Sequence, residues 1–428
     1  MPFIQDEDLP EDLFRGPISP QGTYTEMAGG NHEDIANYRP GGYHPVHIGD
    51  LIGELNRYRV VHKLGHGARC TVWLCRDRRG SRYVAVKIMV SSIQREDMID
   101  LRLADLDLSV LGAMFCAIPL DNFAVTGPNG THQCLVLPVL GPSIADGFWV
   151  RLRDPAATLR SMIRQGTHAL NFLHRNHICH GDLRSENILV RLADFNSLSE
   201  PELIGRIAVP VPIRVRAATG PLPASTPRYV LAPCHIRGLC RSYMMDDICL
   251  IGYGSAYHTS SPPPAPSAPP ANLPPEAILR QPNSMGESCD IWAWGCTIFT
   301  IRLQTPIHPK TYNDDEILGE TMRVMGRFPD ELYNKWEERS SFFDPDGEWY
   351  ISSKEKLDCS IEDKLAHSRR YCPVRRYHNH GHPRPSRSLS VPGPERYLLG
   401  DLLHKIFVYD AKQRISARDI LDHEWFKA

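Results

Sequence analysis

One short loop, HGDLRSENILV at residues 180–190, constrains the fold of this 428-residue chain more than any other segment. It follows residues 155–176, whose apolar side chains recur mostly on one face of a helix, and it ends in an apolar strand. The loop fits the pattern His-x-Asp-Leu-x-x-x-Asn, in which the aspartate accepts a proton from a hydroxyl group and the asparagine holds a metal ion. The sequence therefore predicts a catalytic loop with Asp182 as the base and Asn187 as a metal ligand.

A glycine turn and a strand lysine precede that loop. Gly65 and Gly67 provide backbone without side chains, which lets amide groups approach phosphate oxygens. Lys87 ends the strand VAVK about twenty residues later, where its ammonium group can reach nucleotide phosphates. A carboxylate on the next helix should pair with this lysine. Asp100 is predicted for that role and Glu96 is the alternative, although both could be solvated helix charges.

With these motifs in order, the chain resembles the protein kinases and, among them, the SR-protein kinases, which phosphorylate serine/arginine-rich splicing factors. The entry segment YRPGGYHPVHIGD at 38–50, TVWLC at 71–75 and LVLPVLGPS at 135–143 are similar to that family, and HGDLR resembles its divergent fungal members. The resemblance implies an α+β, bilobal kinase fold. A β-rich N-lobe would span residues 38–140, and a mainly helical C-lobe would span residues 141–428.

The resemblance also implies an activity, transfer of the ATP γ-phosphoryl group to serine or threonine with ATP and Mg²⁺ as cofactors. Arg184 would steady the γ-phosphate in place of the usual lysine. Glu276 would pair with Arg414, and Asp290 would tie down the catalytic loop. The residues that the resemblance implies for ATP binding are Leu64, Gly65, His66, Gly67, Ala68, Val72, Ala85, Lys87, Asp100, Leu137 and Leu140.

The aspartate of the D-F-G triplet, which binds the metal ion at the phosphates, is predicted to be missing. DFN at 194–196 begins only seven residues after Asn187, which is too close for two strands and a turn, so we reject it. IGYGS at 251–255 follows a strand and keeps the aromatic residue and the final glycine, but Gly252 stands where the aspartate is expected. Two functions stay open, a kinase weakened by this loss and a pseudokinase that acts as a nucleotide-binding or scaffolding module.

The remaining segments are assigned by composition. Residues 1–37 are acidic and predict a flexible leader, and residues 191–247 predict an insert within the C-lobe. The proline-rich residues 255–275 predict the activation segment, and residues 366–394 predict an irregular basic loop.

Charge and hydropathy restrict the partners. The net charge of -2 gives no general attraction to nucleic acid, and no apolar run approaches the roughly 20 residues of a membrane helix. The twelve cysteines form no C-x-x-C pair, which favours reduced thiols in the cytoplasm or the nucleus. We expect a monomer that acts on a protein substrate, an Arg/Ser-rich splicing factor by the resemblance, without direct contact to nucleic acid or membrane.

Overall fold

The structure is a computed structural model, which describes residues 16–26, 31–95, 98–145, 152, 154–308, 313–344, 360–366, 369–371 and 387–427. Its strands are β1 (Thr23–Thr25), β2 (Leu51–Ile52), β3 (Tyr58–Gly67), β4 (Cys70–Asp77), β5 (Arg82–Met89), β6 (Asp121–Gly127), β7 (Gly130–Leu137), β8 (Leu140–Ser143), β9 (Ile178–Cys179), β10 (Ile188–Leu192), β11 (Pro212–Ala217), β12 (Tyr229–Leu231), β13 (Met244–Leu250), β14 (Tyr257–His258), β15 (Arg369–Tyr371) and β16 (Arg387–Leu389). Its α-helices are α1 (Ile99–Leu103), α2 (Pro155–Arg175), α3 (Glu200–Ile207), α4 (Arg237–Tyr243), α5 (Pro275–Ile278), α6 (Glu287–Leu303), α7 (Asp314–Met325), α8 (Asp330–Tyr333), α9 (Ile361–Ala366), α10 (Gly393–Ile406) and α11 (Ala417–Leu421).

The N-terminal unit comprises Met1–Asp105, Ala117–Pro142 and Leu192–Met244. Its centre is an antiparallel sheet with the strand order β2-β3-β4-β5-β7-β6. β-Branched and aromatic side chains on alternate positions of these strands form one buried face, because successive side chains of a strand point to opposite sides. The core of this face includes Val60, Trp73, Cys75, Val84, Val86, Ile88 and Val136. The sheet holds the glycine turn between β3 and β4 and the predicted lysine on β5.

The insert at 191–247 was expected in the C-lobe, but residues 192–244 belong to the N-terminal unit. Helix α3 begins at a capping box formed by Ser199 and Glu202, and its apolar face packs against the sheet. This cluster contains Val61, Leu74, Tyr83, Phe195, Leu203, Ile207 and Leu239. Burial of these apolar side chains is the physical reason for the correction, since an amphipathic helix has to cover its apolar face.

The flexible leader predicted for residues 1–37 also needs correction, because residues 16–26 and 31–37 are folded into the same unit. Strand β1 pairs antiparallel with β11 of the insert. Glu33 is buried and forms an ion pair with the buried Lys63. The two charges lie 30 residues apart in the sequence, and only the fold brings them together. The rest of the leader lies outside the described residues.

The C-terminal unit comprises Leu106–Cys116, Ser143–Arg191 and Met245–Ala428, so its boundary differs slightly from the one predicted at residue 141. Helix α6 is apolar on all sides and is buried along almost its whole length, as expected of a central core helix. Helix α2 contacts α6 and α11, and strands β10 and β13 lie side by side. The helix predicted at 155–176 is α2.

Part of the segment at 366–394, which was predicted to be irregular, is regular. β15 pairs antiparallel with β16, with Arg369 opposite Leu389, because backbone hydrogen bonds between two short strands do not require an apolar pattern. α10 then begins at Gly393. The residues between the two strands lie outside the described part of the chain.

A fully buried carboxylate, Asp77, anchors the end of β4. Arg57 donates to its two oxygens at 2.8 and 2.9 Å, and the amides of Arg79 and Gly80 donate to Oδ1 at 3.2 and 3.1 Å. The hydrogen bonds from Arg57, above all, hold the pKa of Asp77 well below its ordinary value.

Asp77→Asn should therefore lower the stability of the N-terminal unit at neutral pH by about 3 kcal/mol, because it removes one of the two charge partners of the partly buried Arg57 guanidinium and leaves only Asp121. The pKa of Asp77 is lower in the folded chain than in the unfolded chain, where it is roughly 3.9. Its stabilisation is thus complete above the unfolded pKa and is lost as the pH falls through the folded pKa. Urea denaturation at neutral pH and at about pH 3 measures this, and the lower pH should reduce the free energy of unfolding less in the variant than in the wild type.

Asp330→Asn, at an exposed pair with Arg327, is the matched control and should change the free energy of unfolding little. Equal effects of the two substitutions would contradict the assignment.

Candidate active site

The backbone of the catalytic loop in the C-terminal unit is held by one buried carboxylate, that of Asp290 on α6. Its Oδ2 accepts the amide of His180 at 2.6 Å, and its Oδ1 accepts the amide of Gly181 at 3.0 Å. Oδ2 also lies 3.2 Å from Nε2 of His174 on α2. A buried charge that accepts several hydrogen bonds holds its partners rigidly. The structure thus places Asp290 where the predicted structural role requires it.

Asp182 and Asn187 face each other within this loop. The Asn187 side-chain amide donates to the Asp182 carbonyl oxygen at 2.8 Å and to its carboxylate Oδ2 at 2.9 Å. Nε of Arg184 lies 3.4 Å from the other carboxylate oxygen, Oδ1. The three residues predicted to be catalytic are therefore grouped together, and the carboxylate of Asp182 is oriented by both neighbours.

Gly252 lies directly beside Asn187. The amide of Ile251 donates to the Asn187 carbonyl oxygen at 2.9 Å. A Cβ atom added to Gly252 would stand 2.8 Å from Cγ and from Oδ1 of Asn187, and the backbone φ of Gly252 is +91°. The structure thus places the glycine next to the predicted metal ligand, and the Asn187 side chain lies against the position that a carboxylate would need.

These residues do not fit a tightly held metal ion. Among the described residues, no cluster of three or more His, Cys, Asp or Glu side chains could ligate one. Mg²⁺ prefers several hard oxygen ligands in a fixed octahedron. Asn187 Oδ1 and the Asp182 carboxylate are the oxygens that remain, and the third position is Gly252.

Gly181 replaces the arginine that often grips a phosphorylated activation loop, and the fold does not allow its return. Its φ is +72°, and an added Cβ would collide with the carbonyl oxygen of Ser255. The neighbouring His180 ring bonds the Ile251 carbonyl oxygen at 2.9 Å. The contacts of His180 and Asp290 therefore hold the loop in place.

The rejected triplet at 194–196 lies in the N-terminal unit and takes part in packing. The Phe195 ring stacks on Tyr83 with a centroid distance of 5.8 Å. Oδ1 of Asn196 accepts the Tyr83 amide at 2.7 Å, and Asp194 accepts the Asn196 amide at 2.8 Å. These contacts fasten the start of the insert to β5.

Most of the residues predicted to bind ATP lie on the six-stranded sheet of the N-terminal unit or at its β3–β4 turn, while Asp100 is on α1 and Leu140 begins β8. Gly67 pairs with Cys70 at the tip of the β3–β4 hairpin, and an added Cβ on Gly65 would meet nothing within 4 Å. The backbone there is open to a ligand, as a phosphate-binding hairpin requires. Ala85 pairs with Leu137 across β5 and β7. The half-buried apolar side chains available to a nucleotide base are Leu64, Val72, Leu137 and Leu140.

Lys87 on β5 has its predicted partner. Nζ of Lys87 lies 3.5 Å from Oδ1 of the buried Asp100 on α1. Burial has the largest single effect and lowers the pKa of Lys87, but the charge and hydrogen bond of Asp100 together with Cys70 outweigh it, so the pKa is raised and the ammonium stays charged. The alternative partner, Glu96, lies outside the described residues. Together with the open hairpin, this pair fits ATP.

A buried ion pair joins Glu276 on α5 to Arg414 near the C-terminus. Their charged atoms lie 2.9 Å apart, and the Arg414 guanidinium also lies 5.0 Å from the Trp292 ring centroid. Burial raises the pKa of Glu276, and Arg414 opposes that shift. The pair sits where the resemblance implied it.

One contact that the sequence did not reveal orients the strand before Gly252. Oε1 of Gln165 accepts the amide of Ile248 at 2.8 Å, and its Nε2 donates to the Asp246 carbonyl oxygen at 3.2 Å. In the sequence, the one signal for this contact was the polar residue Gln165 beside the apolar face of α2. Its two bonds align β13 and thereby the backbone that leads to Gly252.

Comparison with known proteins places this arrangement in a family. The model of the protein kinase domain matches residues 58–200 and 244–426, so the chain belongs to the protein kinases. Human SRSF protein kinase 3 is 38% identical over 179 residues, which are 38% of this chain and 30% of that protein. A serine/threonine protein kinase of Aspergillus fumigatus is 26% identical over 410 residues, 92% of this chain and 90% of that one. The kinase SRPK of Physarum polycephalum is 25% identical and covers 92% of this chain and 91% of its own.

These relatives confirm the predicted resemblance to SR-protein kinases, although the chain spans only 30% of the length of the human relative. The fold prediction is also confirmed. A solved kinase-domain structure covers 90% of this chain and 98% of its own, with a TM-score of 0.58 at 17% identity. The family in general uses ATP and a divalent metal ion. Among the described residues, no helix has the length and apolar character needed to span a bilayer.

Proposed function

We propose that the chain transfers the γ-phosphoryl group of ATP to serine or threonine hydroxyls of proteins, at a rate reduced by the absence of a carboxylate at Gly252. The observation that carries the proposal is the grouping of Asp182, Arg184 and Asn187 on a loop anchored by Asp290. Asp182 accepts the proton of the substrate hydroxyl, and Arg184 steadies the γ-phosphate.

ATP would bind at the glycine hairpin, with Lys87 on its phosphates and Asp100 holding that lysine. A Mg²⁺ ion that arrives with ATP would find Asn187 Oδ1 as its main protein ligand. Removal of one major electrostatic contribution typically lowers a rate by roughly 10²–10³-fold, which sets the expected weakness.

The substrate would be an Arg/Ser-rich protein of the splicing machinery. The kinase chain would act on it as a monomer in the cytoplasm or the nucleus. The names of the SRSF kinase relatives support this class. A cavity of about 260 Å³ beside the catalytic loop supports it as well. Glu186 is the one acidic residue among its lining residues, and a carboxylate there suits an arginine side chain next to the phosphorylated serine.

A second candidate function is a pseudokinase that binds nucleotide or a partner protein without turnover. The contact of Gly252 with Asn187 favours it, because the Asn187 side chain stands against the Cβ position of any residue that would supply the missing ligand, and it bonds to Asp182.

Transfer of radiolabelled γ-phosphate from ATP to an Arg-Ser repeat peptide tests the proposal. Slow incorporation into serine is expected, with much less into a Gln-Ser repeat of equal length. ATP binding without any incorporation would reject the kinase and leave the pseudokinase.

Glu186→Gln should raise KM for the Arg-Ser peptide by about 10-fold, since a charge-assisted hydrogen bond is lost, and should leave KM for ATP unchanged. Steady-state kinetics with each substrate varied in turn measure this. Glu287→Gln, at an exposed acid on α6, is the matched control. A KM for the peptide that does not change would exclude Glu186 from substrate recognition.

A further inference from the structure

Residues 31–43, here called the brace, reach the glycine hairpin of the N-terminal unit. The Tyr43 hydroxyl donates to the carbonyl oxygen of Gly67, the last residue of β3, at 2.7 Å. The brace is fixed at its end, because the Asn129 side-chain amide donates to the Tyr43 carbonyl oxygen at 2.6 Å. The Asn129 carbonyl oxygen in turn accepts the Gly41 amide at 3.0 Å. The backbone of Tyr43 is therefore fixed, and its hydroxyl contacts the hairpin tip from a defined position.

A buried charge pair joins the brace to the same hairpin further back. Glu33 is 1% exposed and Lys63 is 0% exposed, and their charged groups are in contact. The other carboxylate oxygen of Glu33 accepts the hydroxyl of the buried Tyr38. Nζ of Lys63 lies 5.6 Å from the ring centroid of Trp73 on β4. Because a buried charge is costly without its partner, the brace is held firmly to both strands.

The contact with Gly67 sets the direction of one peptide group. In a planar trans peptide the C=O and N–H bonds point in opposite directions. When Tyr43 holds the carbonyl oxygen of Gly67, the N–H of Ala68 in the same peptide group points away from the brace. Glycine backbone samples many conformations, so an untethered tip would spend much of its time with this N–H misdirected.

We infer that the brace positions the glycine hairpin for the phosphates of ATP, and that Tyr43 is a positioning residue that acts through Gly67. The inference rests on the proposed ATP binding at this hairpin, and it concerns a segment whose first part, residues 31–37, the sequence alone predicts to be a flexible leader. The positioning role affects the two parts of the nucleotide differently. A misdirected hairpin tip weakens the contacts to the phosphates and leaves the contacts to the adenosine unchanged.

Tyr43→Phe removes the hydroxyl and keeps the ring. The Kd for ATP should rise about 5-fold, as expected for one hydrogen bond, while the Kd for adenosine stays the same. Isothermal titration of both ligands against the full chain measures the split. Tyr409→Phe is the matched control, because its hydroxyl also donates to a glycine carbonyl oxygen, that of Gly326, at 2.7 Å. It should leave both Kd values unchanged.

Amide hydrogen exchange without nucleotide separates this inference from the proposed function. Amides of residues 64–70 should exchange several-fold faster in Tyr43→Phe than in the wild type and in Tyr409→Phe. Unchanged exchange, or equal weakening of ATP and adenosine, would overturn the positioning role. A wild-type chain that binds no ATP would overturn the proposed function instead, and faster exchange would then still establish that the brace orders the hairpin.

Discussion

Replacing Asp182 with asparagine is expected to lower phosphoryl transfer to an Arg-Ser peptide by about 10²–10⁴-fold, the usual contribution of a general base. The amide cannot accept the proton of the substrate hydroxyl. It keeps the size of the carboxylate, and its oxygen can still accept the bond that Asn187 donates at 2.9 Å. The loop should therefore stay folded on Asp290, and KM for ATP should change little. Initial rates at saturating ATP and peptide measure the effect.

Asp246→Asn is the matched control, because Asp246 is an exposed acid on β13 in the same unit. Its rate should equal that of the wild type, which also tests whether this carboxylate takes over the missing function near Gly252. A residual rate in Asp182→Asn equal to the wild-type rate would mean that the measured transfer does not use this loop. The chain would then be assigned to the pseudokinases.

The catalytic loop could be predicted because its geometry is encoded at short range. His180, Asp182 and Asn187 lie within eight residues, and one buried carboxylate on α6 fixes their backbone. The pairing of Glu276 with Arg414 was accessible only through the resemblance, since the sequence separation gives no local signal. Counting strand lengths rejected Asp194, and Gly252 was assigned from the strand before it and the Tyr253-Gly254 pair after it.

The brace and the insert could not be predicted in the same way. Glu33 and Lys63 are 30 residues apart, and charged side chains are rarely buried, so nothing in the sequence pairs them. The insert begins with turn-forming residues and prolines, and nothing in its composition shows which unit its apolar residues Leu203 and Ile207 contact. Both the Glu33–Lys63 pair and the packing of the insert depend on contacts between residues that are far apart in the sequence.

The backbone conformation of Gly252 and its contact with Asn187 determine how much stability an aspartate at this position would cost. Its φ of +91° lies in the left-handed region, where aspartate is better tolerated than most residues. The added Cβ would stand 2.8 Å from Cγ of Asn187, so that side chain has to shift. Its bonds to Asp182 would loosen as it does so. Backbone strain of this kind costs about 1–3 kcal/mol, and thermal unfolding should show it.

Gly252→Asp is nevertheless expected to raise phosphoryl transfer by about 10²-fold or more at saturating ATP and Mg²⁺. The new carboxylate would lie beside Asn187 Oδ1 and add a hard oxygen ligand of the kind that a divalent cation prefers. The rate should also become more sensitive to the free Mg²⁺ concentration than that of the wild type. Rates measured across a Mg²⁺ titration, with the Arg-Ser peptide held constant, test both expectations.

Gly252→Asn separates the charge from the strain, because asparagine has nearly the same shape and also tolerates the left-handed region. It should lose as much stability as Gly252→Asp and gain no activity. The double variant Asp182→Asn/Gly252→Asp should lose the gain, since the added ligand acts only when the base is present. If Gly252→Asp and Gly252→Asn have equal rates, the missing carboxylate does not limit turnover. The contact of Asn187 with Gly252 would then serve to hold the loop closed, which is the arrangement that a binding module requires.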